Sequence, residues 1–423
     1  MKQVVERGLR RIGRAAEPLL NPGGPGRRLG DATLEKRLEQ VGSDLSRFTE
    51  QIERLAERTD TTDLSQVRQL RDAVWVQQSN LRRRIAFQKR LVHISQENAS
   101  GRDATRDRAL RRIMQVARRG GPVLIGPWTG EVGFELLYWA PFVRWAVDEF
   151  RIDPGRITLL SRGGTASWYG IDGANYLDVL EFSSPEEFRL HTVEAKKQRR
   201  LRLFDRHLIR QVWRGMEGRA SVLHPAMMYA LYMPYWKQQT SIQWVQQLAR
   251  FARIQPPLIP DLQLPRDYVA LRFYFSDNFP DTRENRAFIK SLIESLAEET
   301  HVFLLGTGVS LDEHADFTIG RRERVHTVEH VMRPETNLAV QTAVISGARS
   351  FIGTYGGFSY LAPLCGVRTV AVYSLRSVPS AFGHHLDFAR QLIEAVDGGT
   401  LTLIDLAARP LLRHLAADAA EGL

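Results

Sequence analysis

The chain has 423 residues, 43% apolar and 25% charged, the balance of a soluble globular protein long enough for two or three domains. Its single cysteine, Cys365, excludes internal disulfides and cysteine-rich zinc sites and fits a reducing compartment. The net charge of +10 is uneven: residues 1–120 hold 26 Lys and Arg against 15 Asp and Glu, and the remainder 32 against 33, so an anionic partner would meet the N-terminal part first. No apolar run is long enough to span a bilayer, and "MKQVVERGLRRIGRAAEPLL" is too interrupted by charge for a secretory signal, which makes the cytoplasm the expected address.

Val5, Leu9, Ile12, Ala16 and Leu19 recur at helical spacing with Arg7, Arg10, Arg11 and Arg14 between them. Residues 1–30 therefore read as a basic amphipathic helix and a Gly/Pro-rich break, able to lie on an anionic inner-membrane surface or to dock on its own protein. Leu34, Leu38, Val41, Leu45, Phe48, Ile52 and Leu55 alternate spacings of four and three. That heptad seam, continued less strictly to Val92, predicts coiled-coil helices over residues 31–120, either folded back or paired with a second copy in a homo-oligomer. A further arginine-rich helix is expected over 104–119.

From Pro122 the pattern changes to alternating strands and helices, the signature of parallel sheets covered on both faces. "PVLIG" and "RITLLS" read as strands, each followed by a glycine loop, "PWTGEVG" and "RGGTASWYG". Helices are expected over "FELLYWAPFVRWAVDEF", over "HPAMMYALYMPYW" and from Ser241 to Arg253. The proline-rich "IQPPLIPDLQLP" separates this first α/β domain, 121–258, from a second, 259–423. The second runs from "DYVALRFYF" through a helix at Glu284–Glu299, "HVFLLG" and a helix at Asn337–Gly347 to "SFIGTYGGFSYLAPLCGVRTVAVY". Residues from Asp387 onward are expected to be helical.

Two such domains leave a cleft between the carboxyl ends of their strands, where ligands bind in open α/β sheets. Three loops there carry the candidates. Thr354, Tyr355, Gly356 and Gly357 form a glycine turn entering a helix, whose amides with the Ser359 hydroxyl could hold an anion; a tight structural turn is the competing reading. Arg272 ends an apolar strand and Arg283 begins a helix, and two guanidinium forks can grip a diphosphate. Arg283 could equally be a surface residue paired with Asp281 or Glu284. Gly306, Thr307 and Gly308 follow a third strand. No two aspartates lie two positions apart, so no Asp-x-Asp metal site is present and an anion here would be held by amides and arginines. Proton transfer beside that anion would need an acceptor. Glu131 in its glycine loop is the first candidate, against the role of a carboxylate favouring a helix N-terminus; Glu135 and Asp277 are the alternatives. His224 is a further acid/base candidate beside a core-packing role, and Trp128 and Trp168 could stack on a sugar or simply pack. "EHADFT" lacks metal-ligand spacing, and nucleic-acid recognition motifs are absent.

The strand, glycine turn and "LAPLCGVRTVAVY" resemble the carboxyl-terminal domain of GT-B fold glycosyltransferases. "SFIGTYGGFSYLAPLCGVRTVAVY" and "IGPWTGEVGFELLYWAPFVRW" are similar to heptosyltransferase segments, and "VALRFYF" to the strand-end arginine of fucosyltransferases. The resemblance spans about Pro122 to Ser374. Tyr355-Gly356-Gly357 stands where heptosyltransferases have Asp-Thr-Gly, and Glu131 where they have Asp. It implies two Rossmann-like domains of GT-B type, a metal-independent and inverting transfer from a nucleotide-sugar donor, and a glycan or lipid-linked acceptor in surface polysaccharide synthesis, with no separate cofactor. The rival expectation is a non-catalytic nucleotide-sugar or glycan-binding protein assembled through its coiled coil.

Overall fold

The computed structural model describes residues 99–192, 197–216, 220–306, 315–374 and 380–406. The basic segment and heptad seam expected in residues 1–98 lie outside the described residues, as do Thr307 and Gly308. Both sheets belong to one compact unit, Ala104–Trp236 with Thr240–Leu423. Among the described residues no helix is long and apolar enough to cross a membrane.

The first lobe follows helix α1 (Ala99–Arg118) and begins with strand β1 (Val123–Ile125). A continuous helix, α2 (132–149), comes next: α-helical over Val132–Phe134, π-helical over Glu135–Trp139 and α-helical over Ala140–Glu149. Then come β2 (Ile157–Ser161), α3 (Ala166–Tyr169), β3 (Asn175–Asp178), α4 (Pro185–Thr192), α5 (Leu203–Arg214), β4 (Ser221–Leu223) and α6 (Pro225–Trp236). The sheet is parallel in the order β3-β2-β1-β4. β1 and β2 are buried at every position, the reason they read as unbroken apolar runs.

After α7 (Ile242–Gln246), which packs on α6, the second lobe contains β5 (Tyr268–Arg272), β6 (Tyr274–Phe275), α8 (Arg283–Glu299), β7 (His301–Leu304), β8 (Ala315–Asp316) and β9 (Val325–His326). It continues with α9 (Asn337–Gly347), β10 (Ser350–Thr354), α10 (Gly357–Leu364), β11 (Arg368–Tyr373), α11 (Ser380–Ala395) and β12 (Leu401–Asp405). Its six-stranded sheet is parallel, ordered β12-β11-β10-β5-β7-β9. Renumbered within the lobe, that is the doubly wound 3-2-1-4-5-6 order, with the topological switch between β5 and β10. β6 and β8 form a separate antiparallel pair above the carboxyl end of β5.

Two expectations are corrected. The C-terminal stretch is not all helical, because Leu401–Asp405 adds an edge strand beside β11; its Leu-Thr-Leu-Ile alternation after Gly398-Gly399 suits a half-covered edge. The helix predicted from Ser241 to Arg253 stops at Gln246, since the Leu248 carbonyl accepts from the Tyr232 hydroxyl at 2.6 Å and the Arg250 carbonyl from Arg144 at 2.8 Å. Tertiary partners thus take carbonyls that a longer helix would have used.

The lobes share one apolar core. Tyr138 of α2 stacks on Phe388 of α11, ring centroids 4.8 Å apart, and its hydroxyl lies 2.7 Å from His385 Nδ1. Trp168 donates through Nε1 to Thr342 Oγ1 of α9 at 3.0 Å. At the seam, the space of a Cβ on Gly357 is already taken, with Val132 Cγ1 2.7 Å and Gly133 N 3.0 Å from it. Gly357→Ala should therefore cost about 1–3 kcal/mol through overpacking. Val132→Ala in the same chain should restore part of that loss, giving a non-additive double-mutant cycle in urea unfolding. Full additivity would show that the two residues do not meet.

Candidate interlobe site

Helices α2 and α10 bring their N-termini together. Glu131 is the N-cap of α2, exposed and in an extended conformation, without a hydrogen bond from its side chain to the cap amides. Its negative charge acts on Tyr229, whose phenol is pushed up first by burial and then by this carboxylate. Opposite it, Gly356 caps α10. Its amide donates to Ser359 Oγ at 3.0 Å, and that hydroxyl donates back to the Gly356 carbonyl at 2.7 Å. Ser359 is wholly buried, so the hydroxyl expected to face a ligand closes its own helix cap. A side chain on Gly356 would collide with the Tyr274 hydroxyl, so packing alone accounts for both glycines.

The neighbouring candidates are similarly engaged. The Thr354 hydroxyl accepts from the Tyr274 amide at 3.1 Å and donates to the Tyr274 carbonyl at 3.0 Å. The Tyr355 ring is buried, its hydroxyl accepting from Tyr360 at 2.6 Å. Arg272 is 4% exposed. Its guanidinium pairs with Asp316 Oδ1 at 3.2 Å, donates to Gln341 Oε1, and lies 4.1 Å over the Phe358 ring; Nε alone is buried without a partner. The charge that ends this apolar strand is therefore answered by Asp316, from the "EHADFT" segment. Gly306 lies beside the same carboxylate, 3.6 Å from Asp316 Oδ2 measured from its Cβ position.

Arg283 stands apart, exposed in the first turn of α8, whose Thr282 cap accepts from the Asn285 amide. Asp281 pairs with Arg286, at 2.5 and 2.7 Å, and not with Arg283. Asp277 is exposed on the tight turn after β6. The structure therefore joins Glu131 to the glycine turn, places Arg272 one strand away, and leaves Arg283 and Asp277 outside that group. Trp128 and Trp168 are fully buried, Trp128 stacked on Trp139 at 5.8 Å, so both serve packing.

His224 follows β4 and is 5% exposed. Its Nδ1 accepts from the Ala226 amide at 3.1 Å, which leaves the proton on Nε2, 3.3 Å from Asp205 Oδ2. Burial favours the neutral acid of Asp205, but the His224 contact, the Arg202 amide and the Arg202 charge outweigh it and hold the carboxyl below its usual range. Gln198, also fully buried, links Asp205 to the β1 loop: Nε2 donates to the Pro127 carbonyl at 2.9 Å and to Asp205 Oδ1 at 3.2 Å, and Oε1 accepts from the Thr129 amide at 2.9 Å. Sequence reading missed Gln198 and Asp205; the polar run "QRRLRLFD" between predicted elements was the available signal.

No family model and no curated protein matches the chain. Among solved structures it is similar to the iron-containing dodecameric glycosyltransferase TibC of enterotoxigenic E. coli, at 13% identity and TM-score 0.31, covering 60% of this chain and 58% of that one. It is also similar to E. coli ADP-heptose LPS heptosyltransferase II, at 12% identity and TM-score 0.32, covering 65% and 99%. A family 9 glycosyl transferase of Veillonella parvula follows at 12% identity and TM-score 0.36, covering 70% and 89%. The chain thus spans less than two thirds of TibC.

Glu135, one turn into α2, is the most heavily bonded candidate. Its Oε1 accepts from Ser161 at 2.5 Å, Tyr169 at 2.7 Å and Thr165 at 3.2 Å, while Oε2 is buried without a partner. Burial raises its pKa from 4.5 to about 7 against those hydrogen bonds and the Arg162 charge. Asp178, at the end of β3, is raised to about 7 by the same cause. A folded value above the unfolded one means that the folded protein holds the proton more tightly. The associated stability is complete below about pH 4.5 and is lost as the pH rises through 7. Glu135→Gln should flatten that decline by on the order of 3 kcal/mol, measured as urea unfolding at pH 4.5 and pH 8. An unchanged slope would place the titration elsewhere.

Proposed function

We propose that the protein is a glycosyltransferase of GT-B type, moving a sugar from a nucleotide-sugar donor to a glycan or lipid-linked acceptor. The observation that carries this reading is the doubly wound order of the second sheet, with Arg272 ending β5 and the glycine turn ending β10 on either side of its switch point. The diphosphate would meet the first-turn amides of α10. Glu131, the exposed carboxylate brought to that turn by α2, would take the acceptor proton without a metal. Val132 and Gly133 already occupy the space beside Gly357 where a side chain would lie.

The second reading is a non-catalytic nucleotide-sugar or glycan-binding protein; Arg272, Thr354, Gly356, Gly357 and Ser359 all have structural duties, which weighs on nucleotide binding in either reading. Activity separates the two. Under the transfer reading a nucleoside diphosphate at a hundredfold excess over its Kd should stabilise the protein by about 2.7 kcal/mol in thermal unfolding. Glu131→Gln should keep that stabilisation and lower turnover roughly a hundredfold or more. Stabilisation with no turnover in the parent would leave the binding reading, and a panel of nucleoside diphosphates without effect would overturn the transfer reading and leave only glycan binding of its rival.

A further inference from the structure

A cavity of about 750 Å³ opens in the first lobe between α1, α5 and α6, away from the α2–α10 seam. Six arginines line it: Arg108 and Arg112 of α1, Arg199 and Arg200 of the preceding loop, and Arg206 and Arg210 of α5. Among the described residues no acidic side chain lines it. Among the described residues none of these six guanidinium groups has a carboxylate within ion-pair distance, unlike Arg202, Arg272 or Arg286. Arg108 and Arg112, and Arg206 and Arg210, stand four residues apart on their helices, so each pair forms a ridge of like charge that weakens its own helix. No contact within the described fold offsets that repulsion. An anionic occupant would.

Apart from His224 the rest of the described lining is apolar, with Ile209, Trp213, Val222 and Met227 behind the charges. One wall is fixed: His224 borders the cavity while its proton-bearing Nε2 is held against Asp205, itself tied by Gln198 to the β1 loop. The volume lies within the range of small-molecule pockets. Guanidinium groups bind phosphate oxygens in bidentate fashion, whereas an apolar lining gains from removing hydrocarbon from water.

We infer that this cavity binds a phosphate ester with an apolar portion, the phosphate held between the α1 and α5 arginines and the apolar part on Ile209, Trp213 and Met227. The inference needs no nucleotide and stands apart from the transfer reading.

The test is calorimetric titration of the full chain with decyl phosphate below its micellar concentration, beside inorganic phosphate and nonionic decyl glucoside. Decyl phosphate should bind at least about tenfold more tightly than either, since charge and apolar contacts both contribute. Arg206→Ala with Arg210→Ala should weaken it about tenfold or more, and Arg108→Ala with Arg112→Ala should do the same from the opposite ridge. Arg286→Ala, on the second lobe, should change nothing. Vesicles containing phosphatidic acid that compete with decyl phosphate would make the source a membrane lipid; vesicles without effect would make it a soluble ester. Absence of decyl phosphate binding, or parental affinity in both folded double variants, would overturn the inference. Nucleoside diphosphate stabilisation at the seam should survive either double substitution, so the two readings fail separately.

Discussion

The arrangement of the two lobes depends on a close approach of Gly357 to the start of α2, where a Cβ on Gly357 would lie 3.0 Å from Gly133 N and 2.7 Å from Val132 Cγ1. Two helices meet there by their N-termini. Both ends carry partial positive charge, so their approach is electrostatically unfavourable and must be held by the core behind it. That core is aromatic: Tyr138, Trp236, Phe134 and Phe388 pack around the junction with centroid separations of 4.8 to 5.6 Å. Its apolar burial fixes the helix ends in a position that favours an anion. Glu131 supplies one negative charge at this point, and a phosphate would supply more.

Each lobe pins the loops at the carboxyl end of its sheet with a buried polar side chain. In the second lobe it is Arg272, which gathers Asp316 of β8, Gln341 of α9 and the Phe358 ring of α10. In the first lobe it is Gln198, which joins the β1 loop to Asp205 of α5 and through it to His224. Removing one partner from such a network would leave another unpaired away from water, so each hub is costly to disturb.

The buried acids follow a different logic. Glu135 sits in a π-helical turn, a local widening found often at functional positions, with three hydroxyls converging on one oxygen. Asp178 caps the chain after β3 and accepts from the Gly164 amide at 2.9 Å. The glycine loop that Asp178 holds bonds in turn to the other lobe, the Gly163 carbonyl accepting from the Ala339 amide at 2.8 Å. Both carboxyls thus bond to the loop that meets the second lobe, Glu135 through the Thr165 hydroxyl and Asp178 through the Gly164 amide.

The sequence by itself determined the parallel α/β class, the principal helices of both lobes and the positions of the strand-end loops. These follow from local rules: apolar runs of strand length, helical periodicity, and glycine turns where a helix begins. It also brought Glu131 and Gly357 forward as a pair from separate loops. Tertiary structure alone decided what those residues touch. Whether Gly357 faces a ligand or Val132, whether Arg272 is open or paired with Asp316, and that six arginines from three segments surround one cavity are all set by contacts between residues far apart in the chain. The edge strand at Leu401–Asp405 belongs with them, since a half-covered strand owes its state to the neighbour it pairs with. Periodicity reports which face of an element is buried; it carries no information about the partner that buries it.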